Sequence, residues 1–137
     1  MNGGRLATVT LLVRDYDEAL AWYRDCLDFA VMDDVDLGQD KRWVVVAPDA
    51  DRGARFLLAR AEGDDQVARI GDQTGGRVGF FIETDDFDRD HARMRAKGVA
   101  FREEPRREAY GTVAVFADLY GNLFDLIEPR KAGSSKP

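Results

Sequence analysis

Two carboxylates, Asp125 and Glu83, are the side chains of this sequence whose setting points most directly to chemistry. Asp125 lies in the run Leu-Phe-Asp-Leu-Ile, which is typical of a β-strand, and strand side chains alternate between two faces. Phe124 and Leu126 then share one face, and Asp125 shares the other with Ile127. A carboxylate on an apolar strand face needs a partner, a metal ion or water in a cleft. If burial raises its pKa, it can act as a base, so Asp125 and Glu83 are the candidate catalytic residues.

Other reactive residue types are few, and none of them forms a nucleophile constellation. The single histidine, His91, falls within a predicted helix and is expected to be a partly buried helix residue. The single cysteine, Cys26, lies on an apolar helix stripe and is expected to be an inert core thiol. One cysteine cannot form an internal disulfide, which agrees with a reducing compartment. The Gly75-Gly76 pair precedes a strand and not a helix, so it does not indicate a phosphate-binding loop.

The elements that position these residues occur twice along the chain. In the first half, the pattern predicts a strand, a helix and three strands, at residues 6–13, 15–27, 29–37, 41–47 and 54–61. Residues 62–76 are charged and glycine-rich, and we interpret them as a connection between halves or a mobile flap. The second half repeats the order of the first, at residues 77–84, 85–97, 99–102, 111–116 and 123–127.

Two short motifs support this internal repeat. Asp15-Tyr16-Asp17, a helix start with capping-box spacing, matches Asp86-Phe87-Asp88 in the second half. The last two strands flank Asp-Leu-Tyr-Gly-Asn at residues 118–122, whose Asp, Gly and Asn favour a tight turn. The chain is therefore expected to end in a β-hairpin that carries Asp125.

These motifs together resemble the vicinal oxygen chelate superfamily, which includes glyoxalase I, extradiol dioxygenases and the bleomycin- and fosfomycin-resistance proteins. The resemblance implies an α+β fold of two tandem βαβββ modules, which form a half-open, barrel-like mixed sheet around a central cleft. It implies one glyoxalase/bleomycin-resistance-like domain at residues 1–130, with modules at about 5–61 and 77–128. Residues 131–137 are expected to be a disordered tail.

The resemblance also locates the positions at which metal-dependent members carry their ligands. These lie on the first and last strands of each module, and here they are occupied by Thr8, Leu57, Gly79 (or Arg77) and Asp125. Only Asp125 has a suitable donor, whereas iron, zinc and nickel sites need two or three converging groups. We therefore expect neither a metal nor another cofactor. Ligation by Asp125 together with Glu83 is the alternative.

Strand alternation from Thr8 and Gly79 predicts the residues that face the cleft. Four aromatic residues are expected to close its rim, namely Trp43, Tyr110, Phe116 and Tyr120. The complete set of predicted ligand-binding residues is Thr8, Thr10, Trp43, Arg55, Leu57, Gly79, Phe81, Tyr110, Phe116 and Tyr120. An apolar and aromatic wall with a few polar groups is typical of a small-molecule pocket. Two alternatives are a second core or a dimer interface, and Arg55 and Asp125 form either a structural ion pair or a ligand-orienting pair.

Composition limits the partners. The formal net charge is -6 and basic residues alternate with acidic ones, which argues against nucleic acid and anionic membranes as partners. No apolar run approaches the roughly 20 residues of a membrane span, so we expect a cytoplasmic protein. An acidic protein also suits cationic ligands of the bleomycin type.

Three functions follow from these observations, in order of preference. The first, which the resemblance to bleomycin-resistance proteins implies, is metal-independent binding of a flat, hydrophobic or aromatic small molecule by a homodimer. The second is a superfamily enzyme of the lyase, isomerase or dioxygenase type that uses Asp125 or Glu83 as base or metal ligand. The third is an accessory interaction module with no small ligand.

Overall fold

The computed structural model describes residues 1–131, which fall into two units, one ending at Gln73 and the other beginning at Thr74. Most of the predicted tail lies outside the described residues. The first unit contains β1 (Thr8–Val13), α1 (Tyr16–Leu27), β2 (Ala30–Gly38), β3 (Lys41–Ala47), β4 (Arg55–Arg60) and α2 (Gly63–Val67). The second contains β5 (Val78–Glu83), α3 (Phe87–Ala96), β6 (Ala100–Phe101), β7 (Arg106–Glu108), β8 (Gly111–Ala117) and β9 (Leu123–Pro129).

Each unit has one mixed sheet, and the two sheets have the same strand order. The first sheet runs β1-β4-β3-β2 and the second runs β5-β9-β8-β6, with the short β7 also paired to β8. The first strand of each unit is parallel to the last one, and the remaining pairs are antiparallel. The predicted α+β fold with two βαβββ modules is therefore confirmed. The central cleft expected between the modules stays a prediction.

The first core forms where α1 packs on its sheet. Asp15 begins the helix, because its Oδ2 accepts the backbone N–H of Glu18 at 2.8 Å, as the capping-box spacing predicts. The helix ends at Asp28, which adopts the left-handed conformation with φ 59°. Its buried face includes Tyr23, whose ring contacts Phe56 of β4 at 6.0 Å between centroids. Capping and an apolar stripe together fix this helix.

The second core is a continuous set of aromatic contacts beneath α3. Phe116 of β8 stacks on Phe124 of β9, with ring centroids 5.0 Å apart, and both rings are fully buried. His91 of α3 lies between Phe87 at 5.3 Å and Phe101 at 4.4 Å. Burial lowers the pKa of His91, and the charge of nearby Arg95 lowers it further. The expectation that His91 is a partly buried helix residue is confirmed.

The closing hairpin is held by one side chain. Asp118 Oδ1 accepts the backbone N–H groups of Tyr120 and Asn122, each at 2.9 Å, and Oδ2 accepts from Asn122 Nδ2 at 2.8 Å. Gly121 supplies the positive φ, 97°, that the turn requires. Asp118 and Asn122 are both buried, so each satisfies a polar group of the other. The predicted hairpin is confirmed.

Two elements were absent from the sequence interpretation. The connection at residues 62–76 contains α2, and the polar segment Arg106–Glu108 pairs with β8 as β7. Arg-Arg-Glu has no alternating apolar pattern, which is why periodicity could not detect it. No helix in residues 1–131 has the length and hydropathy needed to cross a membrane.

Candidate functional site

A cavity of about 330 Å³ lies in the first unit, at the ends of its central strands. Strand pairing explains how its wall forms, because Thr10 of β1 lies opposite Leu57 of β4, and Leu12 lies opposite Ala59. On β3, Trp43 lies opposite Val35 of β2. The apolar side chains that line the cavity are Leu12, Leu37, Trp43, Leu57, Leu58 and Ala59.

The open side of the cavity carries large apolar side chains. Trp43 is 43% exposed and Leu37 is 59% exposed, although both are of types that usually lie inside a folded unit. Thr10, Trp43 and Leu57, three of the predicted ligand-binding residues, line this cavity. An exposed indole beside an aliphatic wall is chemically suited to stack on a flat apolar molecule.

The connecting segment adds a polar rim. Glu62 and Gln66, at the start of and within α2, both line the cavity. Lys41 Nζ lies 3.7 Å from Glu62 Oε2, and Gln66 Oε1 accepts the backbone N–H of Glu62 at 3.0 Å. Residues 62–76 were predicted to be a connection or a mobile flap, and Glu62 and Gln66 were not among the predicted site residues.

Two guanidinium groups lie close to the ring of Tyr16 at one end of the cavity. The Cζ atoms of Arg42 and Arg60 are 5.2 Å and 5.4 Å from the centre of its ring, within the range of cation–π attraction. Arg42 also donates to Asp34 at 2.9 Å and to Asp17 at 2.8 Å. Those two contacts, led by Asp34, raise the pKa of Arg42 above its ordinary value. Tyr16 and Arg60 line the cavity but were not among the predicted site residues.

Asp125, the first candidate catalytic residue, lies in the second unit on the strand face predicted for it. Its neighbours on that face are Val115 of β8 and Phe81 of β5, and Phe81 is 63% exposed. Asp125 Oδ1 is buried and has no hydrogen-bond partner among residues 1–131. Burial raises the pKa of Asp125, Arg106 lowers it in part, and Glu103 raises it again. Burial of a carboxyl group with an oxygen that accepts no hydrogen bond favours its protonated form.

Arg106 is the cation that lowers the pKa of Asp125, and it already forms ion pairs with two other acids. Its Nε donates to Glu103 at 2.9 Å and its Nη1 to Glu108 at 2.5 Å. Hydrogen bonds to Tyr110, Glu103 and Glu108 raise the pKa of Arg106. Glu103 is itself fixed, because its Oε2 accepts the backbone N–H of Val115 at 3.0 Å. This network explains why Arg106 offsets the burial of Asp125 only in part.

Glu83, the second candidate catalytic residue, is exposed at the end of β5, opposite Ile127. Its position is two residues along β5 from Phe81, the residue opposite Asp125. Within residues 1–131, no group of three or more His, Cys, Asp or Glu side chains is arranged to hold a metal ion.

Gly79, a position at which the family resemblance expects a metal ligand, is packed against Thr74. A Cβ atom at Gly79 would lie 2.6 Å from Thr74 Cγ2, which is closer than real contacts allow. The Thr74 methyl is held there because its Oγ1 donates to the carbonyl of Arg77 at 2.6 Å. Thr74 therefore takes the space into which any side chain at residue 79 would extend.

The remaining predicted ligand-binding residues have different environments. Thr8 and Arg55 lie opposite each other at the starts of β1 and β4, outside the cavity lining. Tyr110 is 54% exposed beside β8, and Tyr120 is half-buried in the closing turn. Phe116 is fully buried on the face opposite Val115 and stacks on Phe124, which is the position of a core residue and not of a rim residue. The expected pair of Arg55 with Asp125 joins the two units and stays a prediction.

Comparison with known proteins identifies the family. The family model for the Glyoxalase/Bleomycin resistance protein/Dioxygenase superfamily matches residues 5–126. The chain belongs to this superfamily. The chain is also similar to individual proteins in sequence and in structure, and three of them are informative here.

An uncharacterized protein of Shewanella frigidimarina (strain NCIMB 400) is 50% identical over 121 residues, which cover 88% of this chain and 90% of that protein. The crystal structure of UcmS2 matches with a TM-score of 0.79 and 31% identity, over 91% of this chain and 98% of that one. TnmS3, an antibiotic binding protein from Streptomyces sp. CB03234, matches with a TM-score of 0.76 and 27% identity, over 94% and 98% of the two chains.

Proposed function

We propose that this superfamily member binds a small hydrophobic or aromatic molecule in the cavity of its first unit. The observation that carries the proposal is the cavity of about 330 Å³ in which Trp43, 43% exposed, faces an aliphatic wall. That volume lies at the lower end of the range typical of ligand pockets, about 300–1,000 Å³. The similarity to TnmS3, an antibiotic binding protein, supports the same class of function.

The energetics favour a flat apolar ligand. An aromatic ring packed against Trp43 gains about 0.5–1.5 kcal/mol beyond the area it buries. Each 100 Å² of apolar surface removed from water adds about 2.5 kcal/mol. Because the indole and Leu37 are exposed in the unliganded protein, a ligand would remove water from both partners at once.

We further propose that binding does not use the metal site of the superfamily's metal-dependent members. Support comes from the donor atoms at the matching positions. Thr8 has a weak neutral hydroxyl, Leu57 has no donor, and Gly79 is packed against Thr74. Asp125 alone cannot satisfy a transition metal that needs two or three converging ligands.

Isothermal titration calorimetry with 2-naphthoate and 2-naphthamide tests the binding proposal. We expect measurable binding of at least one of these probes, with an affinity about tenfold weaker in Trp43→Ala because the aromatic contact is lost. Trp22→Ala is the matched control, since it removes the other tryptophan of the same unit outside the cavity lining. Binding unaffected by Trp43→Ala would contradict the proposed site.

A second candidate function is catalysis with Asp125 as the base, and one observation favours it. Asp125 Oδ1 is buried and has no hydrogen-bond partner among the described residues, and burial raises the pKa of the carboxyl. Glu83 is exposed and has no comparable setting. Asp125→Asn separates the two functions: a binding protein would change only in affinity, whereas an enzyme that uses this base would lose orders of magnitude in rate.

The homodimer expected from the family resemblance also belongs to this proposal. Its support is the exposure of large apolar side chains in the single chain, including Val35, Leu37 and Phe81. Such residues commonly mark an interface or a ligand site. Sedimentation equilibrium of the full chain distinguishes a dimer from a monomer. A chain that is monomeric and binds neither naphthalene probe would instead fit the accessory interaction module.

A further inference from the structure

The cavity of the first unit has a charge opposite to that of the whole protein. The chain carries a formal net charge of -6. The cavity lining nevertheless contains three basic residues, Lys41, Arg42 and Arg60, and one acidic residue, Glu62. The charged side chains that line this cavity are therefore mostly basic, which the overall composition does not predict.

Of these three basic residues, Arg60 is the one without an acidic partner among residues 1–131. Lys41 is paired with Glu62 at 3.7 Å, and Arg42 is held by Asp17 and Asp34 at 2.8 Å and 2.9 Å. Arg60 is half-buried and has no ion pair or side-chain hydrogen bond within residues 1–131. Its guanidinium lies over the ring of Tyr16, at 5.4 Å from Cζ to the ring centre. A half-buried guanidinium whose N–H groups have no acceptor favours an anionic partner.

Tyr16 adds a second donor at the same end of the cavity. Its hydroxyl oxygen accepts the backbone N–H of Arg42 at 3.3 Å, and no group in the described part of the chain accepts the hydroxyl proton. Because the ring is buried, the hydroxyl position is fixed by packing. The Tyr16 O–H and the Arg60 guanidinium can together bind one oxyanion, as charged acceptors form the stronger hydrogen bonds.

We propose that Arg60 and Tyr16 bind an acidic group of the ligand, whose apolar body lies against Trp43 and Leu57. The ligand class is then an aromatic or hydrophobic acid, and not the cation that the acidic composition suggests. This inference rests on the proposed function, because it places the acidic group of the ligand at one end of the same cavity. A negative charge at this end of the cavity would also offset the mutual repulsion of the Arg42 and Arg60 guanidinium groups, whose Cζ atoms lie 5.2 Å and 5.4 Å from the centre of the Tyr16 ring.

The acids beside this position oppose an anion. An adjacent groove that also includes Tyr16, Arg42 and Arg60 is lined by five aspartates, namely Asp15, Asp17, Asp34, Asp36 and Asp40. Asp34 is neutralised by Arg42 at 2.9 Å, and Asp36 Oδ1 accepts the backbone N–H of Gly38 at 2.8 Å. None of the five aspartates forms a hydrogen bond or ion pair with Arg60 in the described part of the chain. A cationic ligand held by these acids is the competing outcome of the test.

The test compares three probes of equal ring size, 2-naphthoate, 2-naphthamide and 2-naphthylmethylammonium, by isothermal titration calorimetry at low and high salt. We expect the carboxylate to bind about tenfold to a hundredfold more tightly than the amide, which matches the usual gain from a charge-assisted pair. This preference should shrink as salt increases, because the contact is electrostatic.

Three variants test which residues cause the preference for the carboxylate over the amide. Arg60→Met keeps the length of the side chain and should reduce the ratio of carboxylate to amide affinity to about one. Arg60→Lys should retain part of the ratio, and Tyr16→Phe should lower it while the ring stays in place. Arg52→Met, which removes a more exposed arginine of the same unit, is the control and should leave the ratio unchanged. A thermal melt of each variant establishes that it is folded.

The outcomes separate this inference from the function on which it rests. Equal affinity for the carboxylate and the amide would overturn the acidic-group site and leave the binding function intact. Tighter binding of the ammonium probe would also overturn it, in favour of the neighbouring acids. Failure of all three probes to bind the folded protein at millimolar concentration would contradict both proposals.

Discussion

The side-chain amide of Gln73 pairs with Leu12 as a neighbouring strand would. Gln73 Oε1 accepts the backbone N–H of Leu12 at 2.5 Å, and its Nε2 donates to the carbonyl of Thr10 at 3.1 Å. β1 lies at one end of the first sheet and has β4 on its other side. One side chain thus satisfies an N–H and a C=O on this side of β1, and it fixes the connecting segment against two residues of the cavity wall.

Replacing Gln73 should destabilise the protein measurably. Gln73→Ala leaves both backbone groups without this partner, and we expect the free energy of unfolding to fall by about 1–3 kcal/mol. Gln73→Glu tests the donor separately, because a carboxylate can accept from Leu12 but cannot donate to Thr10. Urea denaturation measures both changes.

Gln66→Ala is the control for the Gln73 variants, since Gln66 makes one exposed contact with the backbone of Glu62. We expect this variant to lower the free energy of unfolding by less than about 1 kcal/mol. Equal losses in Gln66→Ala and Gln73→Ala would mean that the pairing of Gln73 with β1 adds no particular stability.

The contact of Gly79 with Thr74 gives a second prediction. A Cβ at residue 79 would lie 2.6 Å from Thr74 Cγ2, so Gly79→Ala should lower the free energy of unfolding by about 1–3 kcal/mol through overpacking. Thr74→Ser removes that methyl and keeps the hydroxyl that donates to Arg77. The double variant should therefore recover most of the loss, as measured in a double-mutant cycle by thermal and urea denaturation.

Additive effects in that cycle would contradict steric conflict as the cause. Gly76→Ala is a useful comparison, because no atom lies within 4 Å of its added Cβ and any loss comes from the positive φ of 97°. Thr74→Ser should not rescue that variant.

Sequence patterns predicted the elements well where a local signal sets them. The Asp15 cap, the turn at Asp118 and the face of Asp125 all follow from residue type and alternation, and the structure has each of them. Phe116 shows the limit of residue type alone, because an aromatic side chain suits both a rim and a core. Its pairing with Phe124 puts it on the helix side of the sheet, and no local pattern specifies which face is covered.

The polar end of the cavity was missed for a related reason. Tyr16 was identified only as part of a helix start, and Arg60 only as one residue of the strand predicted at residues 54–61. Their contact depends on how the start of α1 packs against the end of β4, which is a tertiary relationship. Gln73 was missed because a side chain that replaces a strand partner leaves no periodic signal. That Arg60 differs from Lys41 and Arg42 in having no acidic partner in the described part of the chain depends on tertiary contacts, which the sequence does not give.

The last prediction concerns the pH dependence of stability at Asp125. Because burial raises the pKa of this carboxyl in the folded protein, the folded state holds its proton more tightly than the unfolded chain does. The free energy of unfolding should therefore decrease as pH rises from about 4, the ordinary pKa of Asp, through the raised pKa. Asp125→Asn removes this penalty, so the variant should gain stability relative to the wild type over that range and remain constant relative to it at higher pH.

Asp49 is the control, because its effect on the free energy of unfolding should change with pH in the opposite direction. Its carboxylate accepts the backbone N–H of Asp51 at 2.8 Å and a hydrogen bond from Arg52, and these contacts lower the pKa of Asp49. Its contribution to stability is present above the ordinary pKa and is lost as pH falls through the lowered value. Urea denaturation of the wild type and both Asn variants between pH 3 and pH 8 should thus give difference curves of opposite slope. Parallel curves would mean that the buried Asp125 oxygen is solvated in solution, and the case for Asp125 as a base would lose its physical support.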